Sequence, residues 1–179
     1  MLLRLSDRLA SKVAIAELAD SPIETNPCSD WSCRIFIANR AQYVLISNTL
    51  SLYSCVISCQ GIRDRDSFVG NIVDAIDETM KAAEMQRAYD RLVAPPNGGV
   101  TFAKPLHRSV AVAMSDHVYA AKLYLSDGLA APQIGFRLNH SRHPGLIDRQ
   151  GRSSAKPWEV FAGLVDESDP SAPCSARSQ

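Results

Sequence analysis

WSCRIFIANRAQYVLISNTLSLYSCVISC, residues 31–59, decides the fold. Trp31, Cys33, Ile35 and Ile37 alternate with Ser32, Arg34, Phe36 and Ala38, the period of two that a strand imposes. Asn39-Arg40-Ala41-Gln42 follows as a turn. Tyr43 to Ser47 is a second apolar run, Asn48-Thr49 a second break, and Leu52 to Cys59 a third run. In the third, Tyr53, Cys55, Ile57 and Cys59 share one side, and Ser54, Val56 and Ser58 the other. Breaks this short join antiparallel neighbours, because a parallel return needs about a dozen residues or more. The stretch therefore reads as a three-stranded antiparallel meander with one face buried.

On the N-terminal side, Leu2 to Leu5 reads as a short strand, and Ser6 as the N-cap of a short helix over Asp7 to Ile15. Asp20 to Ser29, with two prolines, reads as a loop. On the C-terminal side, Asp66 or Ser67 caps a long helix. Its apolar face is Val69, Ile72, Val73, Ile76, Met80 and Ala83, spaced by threes and fours. It ends before Pro95-Pro96-Asn97-Gly98-Gly99. Val100 to Ala103 is a fourth strand. Arg108 to Leu125 fits a strand or a helix at its start and reads as helix from Asp116, with Gly128 as terminator. Helix is the reading for the whole segment. Ala130 to Ser154 is rich in Pro, Gly and His, with a short element at Ile134 to Leu138. Pro157 opens a last short helix. From Asp166 on, Ser, Pro and charged residues predict disorder.

The expected architecture is α+β. An antiparallel sheet of about four strands, five with Leu2 to Leu5, is covered on one face by the long helix and the Asp116 helix. Residues 1–165 form a single domain, and 166–179 a disordered tail.

Composition narrows the function classes. A chain of 179 residues with 46% hydrophobic and 21% charged residues can bury a core without disulfides or metal. Its net charge is zero, so nothing drives it globally toward nucleic acid or an anionic membrane. The charge is uneven, however. Residues 100–160 hold eight Lys/Arg against four Asp/Glu, and all four histidines. No run has the length of a bilayer span. Charges at Arg4, Asp7 and Arg8 interrupt the apolar stretch a signal peptide needs. The five cysteines are odd in number and suit a reducing compartment. Together these features predict a cytoplasmic protein.

Lys104, His107, Arg108 and Ser109 cluster where a strand gives way to a helix, a place suited to a phosphate or carboxylate. Lys104, Arg108, Ser109 and Arg40 are the candidate anion or ligand contacts, and Arg137 would join them if the basic residues share one pocket. Ser109, His107 and Asp116 do not make a triad, because residues two apart on a strand are separated by about 7 Å. His140 and His143 lack nearby partners for a zinc site, which typically takes three or four protein ligands. Cys55 and Cys59 on one strand lie about 13 Å apart, too far for one metal or a disulfide. Cys28 and Cys174 are the expected exposed thiols. No metal and no cofactor is predicted.

Several segments together resemble a family of small uncharacterised bacterial and archaeal proteins, known as a domain of unknown function. They are Leu2-Leu3-Arg4, Asp30-Trp31, Val44-Leu45-Ile46-Ser47-Asn48, Phe102-Ala103-Lys104 and Arg108-Ser109-Val110. Met114-Ser115-Asp116, Leu138-Asn139 with Pro144 after it, and Pro157-Trp158-Glu159-Val160-Phe161 complete the series. The resemblance implies one compact domain over roughly residues 1–164 and assigns no chemistry.

Two function classes follow. The first is a non-enzymatic cytoplasmic binding or accessory module, expected because no acid, base, nucleophile or metal set converges in the sequence. Its partner would be another protein. The alternative is an enzyme or ligand-binding domain for an anionic small molecule or nucleotide, held by Lys104, Arg108 and Arg40. Weak nucleic-acid binding through residues 100–160 is a third reading.

Overall fold

A computed structural model describes residues 1–95 and 99–168. The sheet has five strands: β1 Leu2–Leu5, β2 Asp30–Ala38, β3 Ala41–Asn48, β4 Ser54–Ser58 and β5 Thr101–Ala103, in the order β4-β3-β2-β1-β5. β2, β3 and β4 form the expected antiparallel meander. β2 and β3 are joined by a two-residue turn in which Asn39 (φ 48°) and Arg40 (φ 61°) are both left-handed. That is the hairpin turn whose twist matches its strands.

The sheet is mixed, not antiparallel throughout. β1 lies parallel to both β2 and β5. Long crossovers make this possible: α1 (Asp7–Lys12) and a loop separate β1 from β2, and α2 (Arg65–Ala82) lies between β4 and β5. α1 begins after Ser6, whose side chain accepts the Leu9 N–H. α2 is capped by Asp64, two residues earlier than the sequence suggests, through a reciprocal exchange with Ser67. The helix stops at Ala82, short of the expected Pro95 boundary. Glu84 at φ 59° breaks it, and a turn at α3 (Gln86–Ala88) and a π turn at Tyr89–Val93 follow. The predicted loop residues 96–98 lie outside the described residues.

The two long helices do not share a face. α1, α2 and α6 (Pro157–Ser168) pack with Leu3, Leu5, Trp31, Cys33, Ile46, Tyr53 and Cys55 on one side. α4 (Arg108–Ser126) and α5 (Ala131–His140) pack with Phe36, Leu45, Leu52 and Val56 on the other. The result is three layers. The unbroken run Val44-Leu45-Ile46, buried at every position, is the mark of a strand covered on both faces. Phe161 of α6 seals the first core. Its ring lies 4.8 Å from that of Tyr53 and 5.8 Å from that of Trp31. α6 continues through Asp166 to Ser168, and residues 169–179 lie outside the described residues. Cys28, expected to be exposed, is buried in the first core.

One buried ion pair ties these segments together. Arg4 on β1 and Asp30 on β2 are 2% and 0% exposed. The Arg4 Nε and Nη2 groups donate to the two Asp30 oxygens, both at 2.8 Å. The other Arg4 donors reach the carbonyls of Ser21, Pro22 and Lys104, so all five N–H groups are used. Asp30 also accepts from the Glu24 N–H and the Thr49 hydroxyl. Removing one partner strands a charge in the interior, so Asp30→Asn and Arg4→Met should each cost about 3–5 kcal/mol. Urea unfolding of the single and double variants will show this. The double variant should lose clearly less than the two single losses combined.

Candidate functional site

The parallel strands create the first candidate site. After β1 the chain leaves as α1 on one face of the sheet, and after β5 it leaves as α4 on the other. Such a divergence opens a crevice at the strand ends, where ligands of open sheets are commonly held. A cavity of about 340 Å³ lies here, lined by Arg4, Ser6, Arg8, Ser32, Arg34 and His107 among others. Arg34 is partly committed: its Nη1 donates to the Ala111 carbonyl and the Ser115 hydroxyl, each at 2.7 Å. It pins the first turns of α4 to β2. Arg8 and His107 are exposed, and the α4 N-cap has no side-chain partner.

The sequence pointed to this region, and of its four clustered side chains His107 lines the crevice. Lys104, Arg108 and Ser109 are exposed and flank the crevice without lining it. Lys104 contributes its carbonyl to Arg4 and its N–H to Ala19. Arg40 belongs elsewhere. The neighbouring Asn39 carboxamide donates to the Leu125 carbonyl, which puts the β2–β3 turn at the far end of α4. At about 1.5 Å per helical residue, Arg108 and Leu125 are roughly 25 Å apart. Arg137 is exposed on α5 and lines neither cavity. Of the basic residues named from sequence, Lys104 and Arg108 therefore stay beside the crevice, and Arg40 and Arg137 do not join them.

The second candidate is larger and apolar. A groove of about 790 Å³ runs beside β4, the outer strand of the sheet. α2 forms one wall with Ala75, Glu78, Thr79 and Ala82. Phe136 and His140 of α5 and Trp158 of α6 form the other. These three rings form a ladder: Phe136 and His140 are stacked at 4.1 Å, and His140 and Trp158 at 6.0 Å. Phe136 is 60% exposed and Trp158 37%. From the sequence, His140 is weighed only as a zinc ligand and set aside. Only the i, i+4 spacing of Phe136 and His140 hinted that they share a helix face.

A polar clasp holds the groove's far wall to the sheet. Asn139 of α5 accepts the Ser54 N–H at 2.6 Å and donates to the Ser54 carbonyl at 2.9 Å. Gly135 lets the helix come this close, because a Cβ there would sit 3.1 Å from the Ser54 carbonyl oxygen. The Ser54 hydroxyl donates to the Leu52 carbonyl at 2.6 Å and lies 2.7 Å from the Ser47 hydroxyl and 3.1 Å from His117 Nδ1. With the serine proton committed to Leu52, His117 Nδ1 and Ser47 are the donors. Ser54 is fully buried and lines neither cavity, so it does not serve as a nucleophile for a bound substrate.

The predicted histidine pair is split. His140 belongs to the ring ladder, while His143 is buried edge-on against His117, with centroids 5.2 Å apart. Its Nδ1 accepts the Gly145 N–H, and its Nε2 lies 3.6 Å from the Asp116 carboxylate. Among the described residues, no three His, Cys, Asp or Glu side chains gather to hold a metal.

The site and the fold define a three-layer α+β domain with a mixed sheet, a polar crevice at the end of its parallel strands and an apolar groove along its open edge. The chain belongs to the family described as a domain of unknown function (DUF6933), whose sequence model matches residues 2–159. No curated protein matches the sequence.

Burial, and then the neighbouring His143, push His117 down to about pKa 4 from its ordinary 6.5. The folded protein thus refuses a proton that the unfolded chain accepts below pH 6.5. Stability should be full above that pH and fall progressively toward pH 4, by about 3 kcal/mol from this group. Urea unfolding at pH 7 and pH 4.5 measures the loss, and His117→Gln should flatten the difference.

Proposed function

We propose that this protein is a non-enzymatic binding module whose working surface is the groove between α2 and the Phe136–His140–Trp158 ladder. The groove itself carries this reading. Its volume of about 790 Å³ falls in the range typical of ligand sites, and its walls are mainly apolar with a few polar groups at fixed places, as such sites are. Three exposed aromatic rings held in one stack supply contact area at little entropic cost. The setting we infer is the cytoplasm of a bacterium or archaeon, with residues 1–165 acting as one domain. Two features support it: no described helix is long and apolar enough to cross a membrane, and Cys28, Cys33, Cys55 and Cys59 are unpaired thiols.

Nile red, a neutral apolar probe, should bind the groove and change the emission of Trp158, since Trp31 is buried away from it. Phe136→Ala and Ala82→Trp both alter exposed groove positions and leave the core intact. Each should weaken the probe about tenfold, equivalent to about 1.4 kcal/mol. Absence of binding, or binding indifferent to both changes, would overturn the reading.

A second reading, an anionic small molecule held at the crevice, is favoured by Arg8 and His107 opening onto the free N-terminal turn of α4. Lys104, Arg108 and Ser109 would then act from its rim. Inorganic pyrophosphate should raise the melting temperature by about 2–4 °C, and Arg8→Ala and Arg108→Ala should each reduce that rise. An unchanged melting curve across phosphate, pyrophosphate and mononucleotides removes it.

A further inference from the structure

β4 is bonded to β3 on one side and, among the described residues, has no strand on the other. Along an antiparallel strand, peptide groups point alternately toward the neighbour and away from it. The Asn48 N–H bond to Tyr53 and the Cys59 N–H bond to Gln42 flank β4 and turn its odd-numbered residues toward β3. Its even-numbered residues therefore face outward. Ser54 is the first of these, and the Asn139 carboxamide takes both its N–H and its carbonyl. One side chain thus imitates one residue of an adjoining strand. Val56 and Ser58 come next on the same side, and both line the groove. No group among the described residues bonds their N–H or carbonyl.

The groove therefore offers a short row of unused backbone donors and acceptors between two unlike walls. The odd positions of β4 face the α2 layer and the even positions the α5 layer. A strand laid beside β4 would send alternate side chains the same two ways. On the α2 side they would meet Glu78 and Glu84, and on the other the aromatic ladder.

Building on the groove-binding reading above, we propose that the occupant is an extended peptide segment of a partner protein, added to β4 as a further strand, with cationic and apolar side chains in alternation. Main-chain bonds to Val56 and Ser58 supply affinity, and the two walls supply selectivity. The five residues of β4, at about 3.4 Å each, set a footprint of roughly 17 Å.

A capped heptapeptide of alternating lysine and valine tests this, with binding followed by Trp158 emission and amide hydrogen exchange read residue by residue. Saturable binding should slow exchange at Val56 and Ser58 at least tenfold and leave Ser54, already bonded, unchanged. Ser58→Pro removes one outward N–H without touching the β3 ladder. It should weaken the peptide at least fivefold yet bind Nile red as the wild type does. Glu78→Lys, on the exposed face of α2, should weaken the peptide similarly. Peptide bound without protection at Val56 and Ser58, indifference to both variants, or no peptide binding where Nile red still binds would overturn strand addition alone. Failure of both probes would overturn the groove reading with it.

Discussion

The buried pair of Arg4 and Asp30 is the constraint on which the rest of this structure depends. A guanidinium and a carboxylate removed from water are costly unless every donor and acceptor is matched. Here each Arg4 donor has a partner, and the partners come from β2, from the loop at Ser21 and Pro22, and from the end of β5. Asp30 gathers the turn at Thr49 and the chain at Glu24. The pair therefore specifies where β1 inserts between β2 and β5. That insertion makes the sheet mixed, sends α1 and α4 to opposite faces, and opens the crevice between them.

The meander was legible because local rules govern it. Alternation marks the strands, and short breaks mark the turns. The insertion of β1 was not legible, because its partners lie far away in the chain and four apolar letters do not encode a neighbour. The placement of α2 and α4 on opposite faces had a trace in the sequence: Val44-Leu45-Ile46 has no polar side to give to water. Polar Ser32 and Arg34 in β2 obscured it, because Ser32 is spent on the Thr49 hydroxyl and Arg34 on the first turns of α4, and both line the crevice.

The cluster at Lys104 to Ser109 was legible in the sequence, but the distance of Arg40 and Arg137 from it was not. Lys104, Arg108 and Ser109, neighbours in the chain, stay beside one crevice, but Arg40 is separated from them by the nineteen residues of α4. The turn at Arg40 meets the C-terminal end of that helix, and Arg108 begins it. The groove was harder to see for the opposite reason. β4, α2, α5 and α6 each read as an ordinary element, and none carries a motif. Their shared boundary exists only after both faces of the sheet are filled. The unfilled strip beside the last strand is then a by-product of how far apart α2 and α5 stand.

Asn139 bears on solubility. An exposed sheet edge is a template on which identical chains can polymerise, and natural proteins shorten or cover such edges. With Ser54 already occupied, β4 presents two outward residues in place of three. Walls on both sides prevent a flat sheet from approaching. A slender single chain fits between such walls more readily than another folded sheet edge does. The carboxamide thus shortens the part of the edge on which another strand could be laid.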